Sequence, residues 1–180
     1  MNMNKEIEFK TLINKEQYYA LLDEFNLTNN VYTQINHYFD SEKTDLIQEQ
    51  TVLRIRQKGN NFKLTKKTRA LVGADETHIF LSKEKASEML ENGFDANIIG
   101  LPYKVSKVAE LTTYRVSSHY KNGRIFFDRN VYYGKEDFEI EYEVDEINQG
   151  IKDFKAFLDS HGIEYKESIR KSKRAFDNKY

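Results

Sequence analysis

The sequence predicts an α+β protein, an eight-stranded antiparallel closed β-barrel with helices packed on the outside. Three observations lead there. Eight segments alternate apolar and polar residues with the period of a strand, and four segments carry apolar residues at helical spacing. The polar faces of the strands are also of one charge sign, where an ordinary solvent face is mixed.

From Lys5 to Ile13, Ile7, Phe9 and Ile13 alternate with Glu6, Glu8 and Lys10. Asn14 then caps a helix carrying Tyr18, Leu21, Leu22 and Phe25. From Val31 to Asp40, Val31, Ile35 and Phe39 alternate with Tyr32, Gln34, Asn36, Tyr38 and Asp40. Leu53 and Ile55 alternate with Arg54 and Arg56, Lys58-Gly59-Asn60 supplies turn chemistry, and Phe62 and Leu64 return against Lys63, Thr65 and Lys67. Glu76 to Leu81 sets Thr77, Ile79 and Leu81 against Glu76 and His78. Ser82 caps a helix carrying Ala86, Met89 and Leu90, and Gly93 stops it. Tyr114 and Val116 alternate with Thr113, Arg115 and Ser117, and Asn122-Gly123 turns the chain into Arg124 to Asp128. Phe138, Ile140, Tyr142 and Val144 alternate with Glu139, Glu141 and Glu143. Ile151, Phe154, Phe157 and Leu158 form a helical stripe ended by Gly162, and a short helix runs from Ser168 to about Phe176.

The bulk numbers exclude several functions. Among 180 residues, 28 Lys and Arg meet 29 Asp and Glu, a net charge of -1. A general nucleic-acid binder carries a basic excess, so no stable nucleic-acid partner is expected. Twelve Tyr and twelve Phe supply a core that a disordered acidic chain lacks. There is no Cys, which removes disulfides, thiolate metal sites and a cysteine nucleophile. No apolar run approaches the roughly 20 residues that span a bilayer, and Met1 to Lys10 is polar without a signal-peptide core. The expectation is a single domain over residues 1–180, soluble and cytoplasmic, with no membrane partner. The oligomeric state is not legible.

The one-sign faces are Glu6 with Glu8, Glu139 with Glu141 and Glu143, Arg54 with Arg56, and Lys63 with Lys67. Like charges two apart on a strand face repel unless a counter-ion or ligand sits between them. The helices need the apolar sheet face to dock on, so on closure the charged face becomes the lumen. Two like charges at about 4 Å repel by roughly 4 kcal/mol at an effective dielectric of 20. A carboxylate cluster therefore implies a divalent cation, and all-oxygen ligands select a hard ion, Mg²⁺ or Mn²⁺. A cluster of Arg and Lys implies a polyanion, because guanidinium forks match phosphate oxygens. Cation and polyanion in one lumen point to a polyphosphate and to electrostatic stabilisation of phosphoryl transfer. An apolar-ligand barrel is excluded, since its apolar faces turn inward and leave the amphipathic helices nothing to pack on.

These residues resemble the CYTH family, the triphosphate tunnel metalloenzymes. Glu6-Ile7-Glu8-Phe9-Lys10 matches an ExExK signature, Tyr38-Phe39-Asp40 a YFD element, and Leu53-Arg54-Ile55-Arg56 an LRxR strand. Leu64-Thr65-Lys66-Lys67 matches LTxK, and Glu139-Ile140-Glu141 an ExE pair. Arg115, Asp128 and the terminal pair Lys171 and Arg174 are similar to the family's remaining charged positions. The order is kept along nearly the whole chain. The resemblance implies a triphosphate tunnel and metal-dependent hydrolysis of inorganic tripolyphosphate, thiamine triphosphate or a nucleoside triphosphate. It implies Glu6, Glu8, Asp128, Glu139 and Glu141 as ligands of Mg²⁺ or Mn²⁺. Lys10, Arg54, Arg56, Lys67, Arg115, Lys171 and Arg174 would hold the phosphates, with Glu6, Glu8, Lys10, Glu139 and Glu141 at the reacting centre.

Two alternatives stand beside hydrolysis: an adenylate cyclase of the same superfamily and a polyphosphate- or nucleotide-binding module without turnover. The sequence leaves open whether Lys63, Glu76, Glu143 and Lys173 belong to the site. His37, His78, His119 and His161 have no metal-ligand spacing and are read as surface or satisfied histidines, and Tyr18, Tyr19 and Leu22 as core.

Overall fold

A computed structural model describes residues 2–179. Its strands are β1 (Asn2–Ile13), β2 (Tyr32–Asp40), β3 (Thr51–Lys58), β4 (Asn61–Arg69), β5 (Ala74–Leu81), β6 (Phe94–Asp95), β7 (Lys104–Tyr120), β8 (Gly123–Tyr132) and β9 (Lys135–Val144). The helices are α1 (Lys15–Glu24), α2 (Asp45–Gln48), α3 (Lys83–Asn92), α4 (Ile147–Ser160) and α5 (Lys171–Asp177). The sheet runs β2-β3-β4-β5-β1-β9-β8-β7, and β2 also pairs with β7, so eight antiparallel strands close into a barrel. The two-residue β6 pairs with the start of β7, outside the ring. No helix among the described residues is long and apolar enough to cross a membrane.

Closure sorts side chains by strand parity. The register sets Glu8 opposite Glu143, Lys10 opposite Glu141, Asp128 opposite Glu139, Arg115 opposite Asp128 and Arg56 opposite Lys63. Cross-strand partners share a face, and this set faces the lumen. The alternate residues face out and form the core beneath the helices. Val116, Ile125, Phe127, Phe138, Ile140 and Tyr142 pack under Tyr18, Leu21 and Leu22 of α1 and Phe154, Phe157 and Leu158 of α4. Phe39, Leu53, Ile55 and Leu64 pack under Leu46 of α2 and Ala86 and Met89 of α3. A third, smaller cluster joins Tyr38, Ala109, Leu111 and Tyr132 to Ala175 of α5, which closes one end of the barrel.

The predicted helix boundaries have physical counterparts. Asn14 and Gln17 form a reciprocal capping box on α1, and the Ser82 side chain accepts the Lys85 N–H on α3. Gly93 ends α3 at φ +70°, where an added Cβ would lie 2.3 Å from the Val105 carbonyl oxygen. Three expectations need correction. Tyr19 is largely exposed on α1, and Ile151 faces water from α4. The last helix begins at Lys171, because the Arg174 guanidinium binds the Ser168 hydroxyl and the Ile169 carbonyl and holds that segment out of helix. Helix α2 was not foreseen. It is organised by Asp40, whose buried carboxylate accepts the N–H groups of Ser41, Leu46 and Ile47 at 2.8, 2.9 and 3.1 Å, a nucleus with no apolar periodicity.

Phe157 is fully buried and its ring contacts those of Phe25, Tyr120, Phe127 and His161. Phe157→Ala is expected to destabilise the fold by about 3–5 kcal/mol. Urea unfolding should show a lower midpoint with an unchanged slope.

Candidate active site

Two groups of three carboxylates stand in the barrel, each with one oxygen per residue within 4.8 Å of the others. The outer group is Glu6 and Glu8 from β1 with Glu143 from β9. Strand alternation puts Glu6 and Glu8 on one face, and the β1–β9 register brings Glu143 across from Glu8. Lys67 donates to Glu6 and lies 3.3 Å from Glu8, while Lys10 lies 3.7 Å from Glu8. Glu143 has no basic group within ion-pair distance among the described residues. Burial, then the neighbouring charge of Glu6, pushes its carboxyl up to about 8.

The inner group is Asp128, Glu139 and Glu141, all buried. Arg115 forks onto Asp128 at 2.7 and 2.6 Å and also donates to Glu141. Lys171 reaches Asp128, Glu139 and Glu141 at 2.5, 2.9 and 2.5 Å. Arg174 reaches Glu139 at 2.8 Å and Asp137 at 3.1 Å, and the Ser168 hydroxyl donates to Glu139. Burial alone disfavours these charges, but pairing overrides it. Against the cost of burial, Lys171, Arg115 and Lys10 hold the Glu141 carboxyl well below the usual range. The same partnership raises Lys171 and Arg115 despite their burial.

Across the lumen the balance reverses. Arg56 is tied by its Nε to the Asn36 side-chain oxygen at 2.9 Å and has no carboxylate within ion-pair distance among the described residues. Burial, then repulsion from Arg54 and Arg115, brings its guanidinium down to about 9. Lys63, its cross-strand partner, is lowered by burial and by Arg56 and Arg54. The nearest carboxylate to Arg54 is Glu76 at 3.8 Å. The buried Tyr38 hydroxyl has no hydrogen-bond partner. This is a cationic strip short of anions, with Glu76 beside Arg54 as its one carboxylate within ion-pair distance among the described residues.

A cavity of about 820 Å³ joins these parts. Glu6, Glu8, Lys10, Glu141 and Glu143 line it with Arg54, Arg56, Lys67, Arg115 and Lys171. Asp128, Glu139 and Arg174 lie behind its wall. The acids expected as one metal cluster thus fall into two groups. Lys171 and Arg174 meet carboxylates, where phosphate contacts were expected of them. Of the positions left open, Glu143 joins the outer acids, Glu76 stands beside Arg54, and Lys63 lies next to Arg56. Lys173 stands exposed on the lining of the same cavity and pairs with Asp177 at 2.7 Å. Sequence reasoning passed over Asn36, Asp137 and Ser168, whose amide, carboxylate and hydroxyl position the charged groups. Parity alone marks Asn36, which shares the lumen face with Tyr38.

The model of the CYTH domain matches residues 4–176 of the chain. "Putative triphosphatase YjbK" of Bacillus subtilis is 31% identical, over 99% of this chain and 98% of that protein. The crystal structure of a putative adenylate cyclase from Bacillus halodurans superposes with a TM-score of 0.90 at 29% identity, over 97% of this chain and 98% of that one. A Hippeastrum protein described as a putative adenylyl cyclase with a dominant triphosphatase activity shares the fold, with a TM-score of 0.76 at 20% identity over 98% and 95% of the two chains.

The charge geometry sets two expectations. Removing one partner from a buried ion network costs about 3–5 kcal/mol. Lys171→Met should therefore lower stability by that order in denaturant titration. The folded Glu143 carboxyl titrates at about 8, above its unfolded value of 4.5. Its contribution is fully present below about 4.5 and is lost as pH rises towards about 8, where the folded protein must also release the proton. Metal-free protein should lose stability as pH rises from about 4.5 to about 8, and Glu143→Gln should flatten that slope. Glu141, with a depressed folded value, acts with the opposite sign and only at acid pH.

Proposed function

The chain belongs to the CYTH domain family, and on that premise we propose that it is a metal-dependent triphosphatase acting inside the barrel. One observation carries the reading. The half-buried pair Arg54 and Arg56, with Lys63 beside Arg56, is short of anions, and the two arginines share one cavity with the carboxylates of Glu6, Glu8, Glu141 and Glu143. A triphosphate supplies what the strip lacks. Guanidinium forks on β3 match equatorial phosphate oxygens, and Lys10 and Lys67 add point charge where those oxygens gather negative charge in the transition state. Because these groups are already oriented and partly dry, they stabilise that charge without reorganising.

The carboxylate groups fit a hard divalent cation, Mg²⁺ or Mn²⁺, since each offers three oxygens close together. The outer group fits better. Its three acids meet two lysines, and Glu143 has no cationic partner within ion-pair distance among the described residues, only the Glu6 carboxyl beside it. The inner acids already meet Arg115, Lys171 and Arg174. A cation held by Glu6, Glu8 and Glu143 would supply Lewis acidity and lower the pKa of water. The protein's own part is to grip the phosphates from β3 and β4. Its outer carboxylates orient the attacking water by accepting its hydrogens, and the inner ion pairs keep Arg115 and Glu141 in place.

Phosphate release from inorganic tripolyphosphate, thiamine triphosphate or a nucleoside triphosphate should require Mg²⁺ or Mn²⁺ and stop on chelation. Arg56→Ala should lower kcat by about 10²–10³-fold, and Glu8→Gln, which removes an outer carboxylate, should abolish most of the activity. No release from any of the three with either metal would sink the reading. The neighbour named as a putative adenylate cyclase keeps cyclisation as a second reading, and its products, cyclic AMP and pyrophosphate, separate the two.

A further inference from the structure

One lysine of the barrel interior differs from the others. Lys10 and Lys67 meet the outer acids, and Lys171 meets the inner ones. Lys63 makes no hydrogen bond or ion pair among the described residues. It is half-buried near the start of β4, opposite Arg56 on β3 and Phe80 on β5. Cross-strand partners stand roughly 4.5–5.5 Å apart at Cβ, so the amine and the guanidinium are neighbours. Phe80 is 70% exposed, so this end of the strip opens to solvent. It is the end away from α5. Arg69, at the other end of β4, and Arg170, just ahead of α5, both donate to Gln50, at 2.9 and 2.8 Å.

Three cations around a single carboxylate favour the loss of a proton, and an ammonium gives one up more readily than a guanidinium. Burial, then Arg56 and Arg54, lower the Lys63 ammonium accordingly. Against the cost of burial, carboxylates raise Lys67 and Lys171. A neutral amine is a nucleophile. Beside it stand donors in want of acceptors. The Arg54 Nε is buried without a hydrogen-bond partner, and Arg56 meets only the Asn36 side-chain oxygen. Two such guanidiniums grip a phosphoryl group. An electrophile that carries its own phosphate is then held with its reactive carbon near the amine, which replaces a bimolecular encounter by a positioned one.

We propose that Lys63 is a modification site for acyl phosphates, with Arg54 and Arg56 holding the phosphate while the amine takes the acyl group. The deprotonated Nζ attacks the carbonyl carbon. A C–N bond forms, the bond from that carbon to the phosphate oxygen breaks, and phosphate leaves with the electron pair. The proton of the amine passes to water. The product is an uncharged amide, so the strip loses one of its three cations and part of its grip on a polyanion. The modification itself does not need the triphosphatase reading; its consequence for turnover rests on that reading.

The test treats the metal-free protein with acetyl phosphate and follows each lysine by peptide mass spectrometry. Lys63 should be acetylated at least about tenfold faster than the exposed Lys83 and Lys152. Its rate should level off at a lower pH than theirs, and pyrophosphate should protect it. N-acetoxysuccinimide, which carries no phosphate, should show a much smaller preference for Lys63. Acetylated protein should bind tripolyphosphate about tenfold more weakly in calorimetry, the loss of one charge-assisted contact. Equal rates at Lys63 and Lys83 overturn the proposal. So does an equal preference with both reagents, since a reactive amine then acts without the arginines. Unchanged tripolyphosphate binding overturns the inhibitory consequence. Selective acetylation in a protein that hydrolyses no triphosphate leaves the modification site standing and sinks the triphosphatase reading, and turnover without selective acetylation does the reverse.

Discussion

The ion network of Arg115 and Lys171 with Asp128, Glu139 and Glu141 is the constraint on which the rest of the structure depends. Closing eight strands into a barrel takes these five side chains out of water together. Charges in such a place are tolerated only when paired and hydrogen-bonded, because the desolvation penalty runs to several kcal/mol per ion. The pairing therefore dictates other features. Helix α5 must dock on the barrel end so that Lys171 reaches three carboxylates. Arg174 must hold the Ser168 and Ile169 segment extended so that the helix starts at the right place. The outward core follows from the same closure, since strands with charged inner faces have only their outer faces left for Phe127, Ile140 and the helices above them.

Balance within the inner network makes the imbalance elsewhere informative. Counter-ions are distributed unevenly around the lumen. The inner acids are neutralised by the chain itself, the outer acids are short of cations at Glu143, and the strip of Arg54, Arg56 and Lys63 is short of anions. A folded protein that leaves opposite charges unmatched on two sides of one cavity has room for a ligand that matches both. The cavity also separates structural charge from chemical charge. Asp128, Glu139 and Arg174 lie behind the wall and brace it, while Glu6, Glu8, Lys10, Lys67 and Arg56 face the open space.

The apolar part of the same cavity has a different origin. Val52 and Val108 sit on barrel strands at the lumen face, where the one-sign rule of the charged faces lapses. They are possible there because α5 brings Ala175 and Phe176 into the barrel end and gives them something to pack on. One short helix therefore does two jobs, neutralising the inner acids through its first turn and lining the apolar end through its last.

Parity and sign could be read along the chain. Period-two alternation located all eight barrel strands, and the one-sign faces of Glu6 with Glu8 and Arg54 with Arg56 placed the charged side in the lumen before any coordinates. Local caps such as Asn14 and Ser82 marked helix starts, because a cap acts within four residues. Contacts distant in sequence stayed hidden. The Asp40 nucleus of α2 looks like any strand end. The five acids read as one cluster, whereas the β1–β9 register leaves Glu6 and Glu8 on one level, where Glu143 joins them, and Asp128, Glu139 and Glu141 on another. The sequence by itself determined which side chains face inward, since a strand has only two faces and only one of them is apolar. Only the tertiary structure decided which inward charges meet, because register and the docking of α5 set distances that no spacing along the chain encodes.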